Sequence, residues 1–393
     1  MKLLLVYGDD ILSRHELGFV ASLLYDNVIT TVIHLTSSKR FQVEKLLIRS
    51  DYGTVQTDVV TVPYKGNILS FSAVVKVLRE CIDVTDFDAI ISTPRHPWMV
   101  GKCFSSALNV PVILRVWSVR AFKVIDNIKH GAYSDLFLFI PSFASNVYEI
   151  LSSNMSMFTD NYTFTLMRKF IPKRAMVKVY PPYGFLISNH KNESDETVLS
   201  AIDKYDEYVL GFTVLNKRGV YLKFEAKPHA LLFYKLARGN PGLTFIVAGS
   251  SLNDFKRAFP HLAMKKPSNL VFLGKGFSDG ILPDLYKKAY LVVHYVSNRS
   301  ISNRFLESAF FKKAVVINEL ITTLHPELRH GIHIHIVNSL NGYYDAIKYL
   351  IRHPEYVEKL SLGIWEAYTK YFGTRINYVA VKCAVKCLSE TWQ

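Results

Sequence analysis

The chain has 393 residues, 49% apolar and 20% charged, which excludes intrinsic disorder and collagen-like or low-complexity classes. Lys and Arg outnumber Asp and Glu by 47 to 33, a formal net charge of +14, so an anionic partner is expected: phosphate, nucleic acid or an anionic membrane surface. The excess is uneven, with +3 over residues 1–200 and +11 over residues 201–393, and no run of five like charges forms a basic tail. Cys81, Cys103, Cys383 and Cys387 are too few for a disulfide framework. Cys383 and Cys387, one helical turn apart, read as a buried helix face rather than a zinc site.

In chain order, the apolar start stops at Tyr7-Gly8-Asp9-Asp10. That is short of the roughly 7–15-residue core of a signal peptide, so it predicts a first buried strand. Further strands are predicted at 28–35, 58–63, 89–92, 111–117, 135–140 and 176–180, with helices at 14–25, 68–81, 98–108 and 143–151. The polar stretch 187–196 reads as a linker. A second alternation follows, with strands at 208–213, 243–248, 270–273, 291–296, 315–317 and 333–337. Its helices are predicted at 224–237, 282–288, 303–312 and 343–352, and the tail from Pro354 reads as helical. Apolar strands alternating with helices predict an α/β protein of two doubly wound, Rossmann-like domains facing each other across a cleft. The domains are expected over 1–190 and 191–375, with a helix at 376–393 packing back on the first. Ligands of such sheets bind beyond the carboxyl ends of the strands, at helix N-termini. No segment approaches the ~18–20 apolar residues of a membrane span, so a cytoplasmic protein is expected, soluble or peripheral at the inner face of the membrane.

The most informative stretch is 289–318, a strand, the loop Ser297–Ser302, a helix and a second strand. Ser302 is placed to cap the helix, leaving the amides of Asn303, Arg304 and Phe305 to meet a diphosphate at the positive end of the dipole. Glu307, one turn in, has two carboxylate oxygens for a pair of sugar hydroxyls; it also reads as an ordinary first-turn acid.

Here the chain resembles the retaining glycosyltransferases of family 4, which have the GT-B fold. The resemblance rests on Asn269-Leu270-Val271-Phe272-Leu273-Gly274, on Leu282-Pro283-Asp284-Leu285-Tyr286-Lys287-Lys288-Ala289, and on Phe305-Leu306-Glu307-Ser308-Ala309 with Ala314-Val315-Val316-Ile317. Gly249 matches the family's strand-ending glycine, and Pro182-Tyr183-Gly184 its P-N-G turn. It implies transfer of a sugar from a nucleotide-diphosphate donor to a glycan, lipid-linked or other acceptor, with retention of configuration. No cofactor or metal is implied beyond the nucleotide sugar as co-substrate. Glu307 would hold the donor ribose, and the backbone near Gly274–Phe277, Lys275 included, the base. The sequence departs from the pattern at three places. Arg299 stands where the family has its first motif acid, eight positions before Glu307, and Ser300 and Ser302 stand where it has glycines. The phosphate-binding Arg after the first strand of this domain is missing, while Lys217 and Arg218 crowd the place of the Lys that follows it. Lys217 and Arg218 would neutralise the leaving diphosphate, and Arg299 would supply the missing positive charge.

In the first half the family's histidine near the donor sugar falls at Ser92 or Thr93, with His96 a few residues on. Gly8-Asp9-Asp10 follows the first strand where family members have two glycines. His333 and His335 alternate on a predicted strand and would share a face, with no third metal ligand at useful spacing. Two stretches mix cations with apolar residues: 115–129, with Arg115, Arg120, Lys123 and Lys129, and 155–178, with Arg168, Lys169, Lys173 and Arg174. They fit either an anionic membrane surface or cations snorkelling over a core-facing stripe. No helix-turn-helix, RNP or zinc signature points to nucleic acid. Beside the transferase reading stand a catalytically degenerate relative that binds nucleotide or glycan as a scaffold or partner subunit, a glycosyltransferase acting on nucleic acid, and a nucleotide-sugar epimerase.

Overall fold

Long apolar runs form strands buried on both faces: in β1 (Lys2–Tyr7) five consecutive side chains from Leu3 are buried. The computed structural model describes residues 1–8, 14–36, 41–64, 74, 87–117, 125, 128–129, 131, 133, 136–187, 193–216, 222–296 and 303–392. It divides into two units. The first comprises Met1–Ile125, Ser134–Leu186 and Tyr371–Gln393; the second comprises Asp126–Tyr133 and Ile187–Lys370.

The first unit is built on a nine-stranded sheet in the order β8-β7-β6-β5-β1-β2-β4-β3-β9. Its strands after β1 are β2 (Ile29–Thr36), β3 (Gln42–Ser50), β4 (Gly53–Pro63), β5 (Ala89–Ser92), β6 (Val112–Val116), β7 (Met155–Phe158), β8 (Met176–Lys178) and β9 (Phe185–Leu186). The sheet is parallel except around β3, which runs antiparallel to β4 and β9. The β3–β4 hairpin extends well beyond the strand expected at 58–63. Its alternation of half-buried and exposed residues belongs to strands with one solvated face.

The stretch 135–140 corrects the sequence reading. From Leu136 it opens a helix rather than a strand, Asp135 lying outside the described residues: after α1 (Arg14–Leu23) and α2 (His96–Leu108) comes α3, Leu136–Ser152, with Pro141 inside it. Its run of apolar residues mimics a buried strand, but Asn146, Glu149 and Ile150 are buried together at helical spacing. The next helix, α4 (Asn161–Phe170), is N-capped by Asp160, whose carboxylate accepts from the Thr163 amide at 2.7 Å. The expected helix at 68–81 lies outside the described residues apart from Val74.

Helix α1 lies directly on the backbone of the Pro182–Gly184 turn. A Cβ built on Gly18 would sit 2.2 Å from the Pro182 carbonyl oxygen. The Gly18→Ala substitution is therefore expected to destabilise the first unit by about 1–3 kcal/mol through forced separation of helix and turn. Gly242→Ala, where a Cβ meets nothing within 4 Å, should leave urea denaturation nearly unchanged.

The second unit carries a six-stranded, wholly parallel sheet in the order β12-β11-β10-β13-β14-β15. The strands are β10 (Tyr208–Phe212), β11 (Phe245–Ala248), β12 (Leu270–Gly274), β13 (Ala289–His294), β14 (Val315–Asn318) and β15 (His335–Val337). Chain order reverses between β10 and β13, so their carboxyl ends flank the switch point where such sheets bind ligands. The longer helices are α5 (Glu193–Ile202), α6 (Lys227–Gly239), α7 (Leu252–Ala258), α8 (Leu282–Lys287), α9 (Asn303–Phe310), α10 (Leu340–Arg352) and α11 (Pro354–Ala367). Helix α5 occupies the second part of the expected linker; its acids Glu193, Asp195 and Glu196 sit in the first turn, where the helix dipole favours them.

The last helix, α12 (Thr374–Trp392), belongs to the first unit. Val381, Ala384, Val385 and Leu388 join the core that contains Phe19 and Leu23. Asn377 donates to the Tyr180 carbonyl at 2.5 Å, the Tyr378 hydroxyl donates to Asp26 at 2.9 Å, and the Thr374 amide donates to Asp51 at 3.1 Å. Cys383 and Cys387 are exposed, which corrects the buried face expected for them: the apolar stripe runs through their neighbours. Among the described residues, no helix is long and apolar enough to cross a membrane.

Candidate functional site

At the carboxyl edge of the second sheet the strand ends are tied together by short polar contacts. Gly249, with φ 92° after β11, donates its amide to the Gly274 carbonyl at 2.7 Å, and the Gly274 amide donates to the Ser250 carbonyl at 2.8 Å. A side chain at Gly249 would meet the Thr213 carbonyl at 2.8 Å, so only glycine suits that turn. The Ser250 hydroxyl donates to the Thr213 carbonyl at 2.7 Å and accepts from the Leu215 amide at 2.9 Å. This fixes the start of the loop after β10. Asn318 does the same after β13, accepting from the Val296 amide at 2.8 Å and donating to its carbonyl at 2.7 Å. Lys275 follows Gly274 and is exposed.

Helix α9 begins beside this edge and brings its first turn to the switch point. Glu307 is fully buried. Arg304, one turn before it, donates from Nη1 to both carboxylate oxygens, at 2.7 and 2.9 Å. The same guanidinium lies over the Phe212 ring at the end of β10, 4.3 Å from its centroid, a cation–π contact. Tyr286 stacks on Phe212 and Phe311, and burial, then the Glu307 charge, push its hydroxyl far above the usual tyrosine range. The hydroxyl of Ser308 donates to the Arg304 carbonyl at 2.7 Å, leaving an oxygen lone pair for His294 Nε2 at 3.0 Å. His294 therefore carries its proton on Nε2. Burial, with help from His229 and Arg304, lowers the His294 pKa to about 3, and burial lowers that of His229 to about 4, so both rings are neutral near pH 7. The edge thus presents a partly exposed Arg304, an oriented buried carboxylate and a helix N-terminus, a set suited to a phosphoanion joined to a polyol.

Glu307, Gly249, Gly274 and the backbone of Asn303 thus lie in one unit, at or beside one edge of its sheet. Lys217, Arg218, Arg299, Ser300 and Ser302 lie outside the described residues. Of Arg304 the sequence reading used only the backbone amide; its side chain, Phe212, Tyr286 and His294 did not figure as site residues, and the signal for the Arg304 side chain was its i,i+3 spacing from Glu307.

In the first unit, β1 and β5 are neighbours in register Val6↔Ser92, and Gly8 sits against Pro97, whose Cγ would lie 3.3 Å from a Cβ there. His96 opens α2, is exposed and packs its ring edge-on to Tyr64 at 5.5 Å. Arg95, just before it, takes the left-handed φ of 72° and donates its amide to Glu149 at 3.1 Å. Arg115 corrects its reading as a membrane-facing cation: it is 1% exposed, ion-paired with buried Glu16, and sandwiched between Phe19 at 3.7 Å and Trp117 at 4.0 Å. A charge inside an apolar strand reads as a snorkelling surface cation until its partner, 99 residues away, is placed.

His333 precedes β15 rather than lying in it, so it does not share a strand face with His335. His333 Nδ1 accepts from the Arg329 amide at 3.2 Å, and the His335 ring stacks edge-on to His330 at 4.8 Å.

No protein-family profile matches the sequence, and no curated protein matches it. Solved structures do match it along its length. Sucrose-phosphate synthase of Thermosynechococcus elongatus aligns with a TM-score of 0.66 at 10% identity, covering 99% of both chains. Alr3699/HepE of Anabaena, in complex with UDP, aligns at 0.64 and 12% identity over 98% of this chain and all of its own. The UDP-forming α,α-trehalose-phosphate synthase of Burkholderia vietnamiensis aligns at 0.60 and 9% identity over 98% of this chain and all of its own. The protein has the GT-B fold. In GT-B terms the first unit is the N-terminal Rossmann-like domain completed by α12, and the second is the C-terminal one.

Proposed function

We propose that the protein is a glycosyltransferase that moves a sugar from a nucleotide-diphosphate donor to a glycan, lipid-linked or other acceptor with retention of configuration, as the family 4 resemblance implies. The observation that carries this reading is Glu307, buried in the first turn of α9 and held by Arg304 at the switch point between β10 and β13. The resemblance assigns Glu307 to the two ribose hydroxyls, and its two oxygens, oriented side by side by Arg304, would accept from them. The reaction requires a departing diphosphate to be stabilised where its charge develops. The α9 amides at Asn303 and Arg304 would serve there, joined by Lys217, Arg218 and Arg299 in the adjoining loops. Gly249, Gly274 and Lys275 would line the base, with Ser300 and Ser302 beside the donor phosphates and sugar. In the N-terminal domain, Gly8 and His96 would face the sugar and acceptor. A second reading, binding of nucleotide or glycan without transfer, is favoured by one observation: Arg299 in place of the family's first acid.

A thermal-shift panel of UDP, GDP and ADP with their sugars tests both. UDP leads the panel because HepE was crystallised with it. A matching nucleotide at a hundred times its Kd should stabilise the protein by about 2.7 kcal/mol. Release of free nucleotide from the matching sugar donor supports transfer; a shift without turnover supports binding alone. Absence of any shift across the panel would remove the donor-site reading.

A further inference from the structure

We propose that the exposed face of α3 rests on an anionic phospholipid bilayer, held there by the cations of α4 and the turn after it. Phe137, Ile140, Ala144, Tyr148 and Leu151 recur at spacings of three and four, so they form one stripe along the helix. This stripe faces outward: Phe137 is 86% exposed, Ile140 75% and Tyr148 63%. The opposite face is satisfied by the domain core, where Asn146, Glu149 and Ile150 are buried. An uncharged apolar stripe of this length on a soluble domain marks an interaction surface.

The charge around the stripe selects the occupant. Over residues 136–174 the only acids are Glu149 and Asp160, and both are buried. Arg168, Lys169 and Lys173 are exposed, and Arg174 is half-buried. Two contacts tie α4 and the turn after it, which carry these cations, to α3. The Phe143 ring packs edge-on to Phe170 at 5.4 Å, and Arg174 donates to the carbonyls of Leu151 and Ser153 at the end of α3. Phe170, itself 59% exposed, extends the apolar surface between the two helices. An apolar stripe flanked by basic residues and, among the described residues 136–174, free of exposed acids is complementary to acyl chains under anionic headgroups. A second copy of the chain would place the same cations against each other, which disfavours self-association through this face.

The inference is independent of the donor site, because vesicle binding needs neither nucleotide nor turnover. The test is co-sedimentation of the full chain with phosphatidylcholine vesicles, with and without about 30% phosphatidylglycerol. Binding is expected only to the anionic vesicles and should weaken as salt is raised. The Lys169→Glu/Lys173→Glu variant should bind about thirtyfold or more weakly, and Phe137→Ser/Ile140→Ser at least about tenfold more weakly. All four positions are exposed, so both variants should keep the wild-type circular dichroism and Tm. Three results would overturn the proposal: no binding to anionic vesicles, equal binding by wild type and both variants, or a dimer in sedimentation velocity that Phe137→Ser/Ile140→Ser abolishes while vesicle binding persists.

Discussion

Replacing Glu307 by alanine is expected to weaken nucleoside diphosphate binding about 10- to 150-fold, the range that corresponds to loss of about 1.5–3 kcal/mol from hydrogen bonds to a charged group. The carboxylate is fully buried and its orientation is set by Arg304. Removing it also releases the guanidinium that it holds over Phe212. Glu307→Gln keeps the shape and one acceptor but loses the charge, and should fall between wild type and alanine. Isothermal titration with the nucleotide, with kcat/KM measured beside it, checks both. Equal affinity of Glu307→Ala and wild type would place ribose recognition elsewhere.

The Arg115→Ala protein should lose about 3–5 kcal/mol of stability at neutral pH, as when one partner of a buried ion pair is removed. Glu16 would be left in the core without its cation, and the stack between Phe19 and Trp117 would lose its middle layer. Replacing both partners, Glu16→Gln with Arg115→Met, should recover most of the loss, because no unpaired charge then remains. Urea denaturation of the three variants measures this. The pair also sets a pH dependence. Burial pushes the Glu16 carboxyl up from 4.5 to about 7 against the opposing pull of Arg115. Between those values the folded protein binds a proton that the unfolded chain has released. This group's contribution to stability therefore falls as pH rises from about 4.5 to about 7 and is level above that. The Glu16→Gln protein should lack this slope, and the Arg115→Ala deficit should shrink toward acid pH, where Glu16 becomes neutral.

The parts of the fold most legible in the sequence are those where local pattern and burial agree. β1, β5 and β14 are continuous apolar runs buried on both faces, so their identity does not depend on distant partners. The β3–β4 hairpin was only partly legible, because Gln42, Glu44, Lys45 and Gln56 give it the polarity of a loop. The start of α3 was misread because an apolar run of five or six residues suits a strand or a helix equally. At the site, Glu307 was legible because a short motif surrounds it. Its orientation by Arg304 and the packing of Phe212 and Tyr286 depend on β10, α8 and α9 meeting in space. Arg115 shows the same limit in the N-terminal domain, since a cation in the sequence VILRV looks the same whether its partner is water or Glu16.

The return of α12 to the first unit bears on how the polypeptide is made. The ribosome releases residues 374–392 after residues 187–370, yet Val381, Val385 and Leu388 help complete the core around Phe19 and Leu23. During synthesis the second unit has all of its strands before the first has its last helix. The N-terminal domain must therefore wait, with α1 uncovered along the side that α12 will occupy, while the C-terminal domain can fold at once. Although domains commonly mature from the N-terminus onward, here the half that emerges first is the half whose core is completed last.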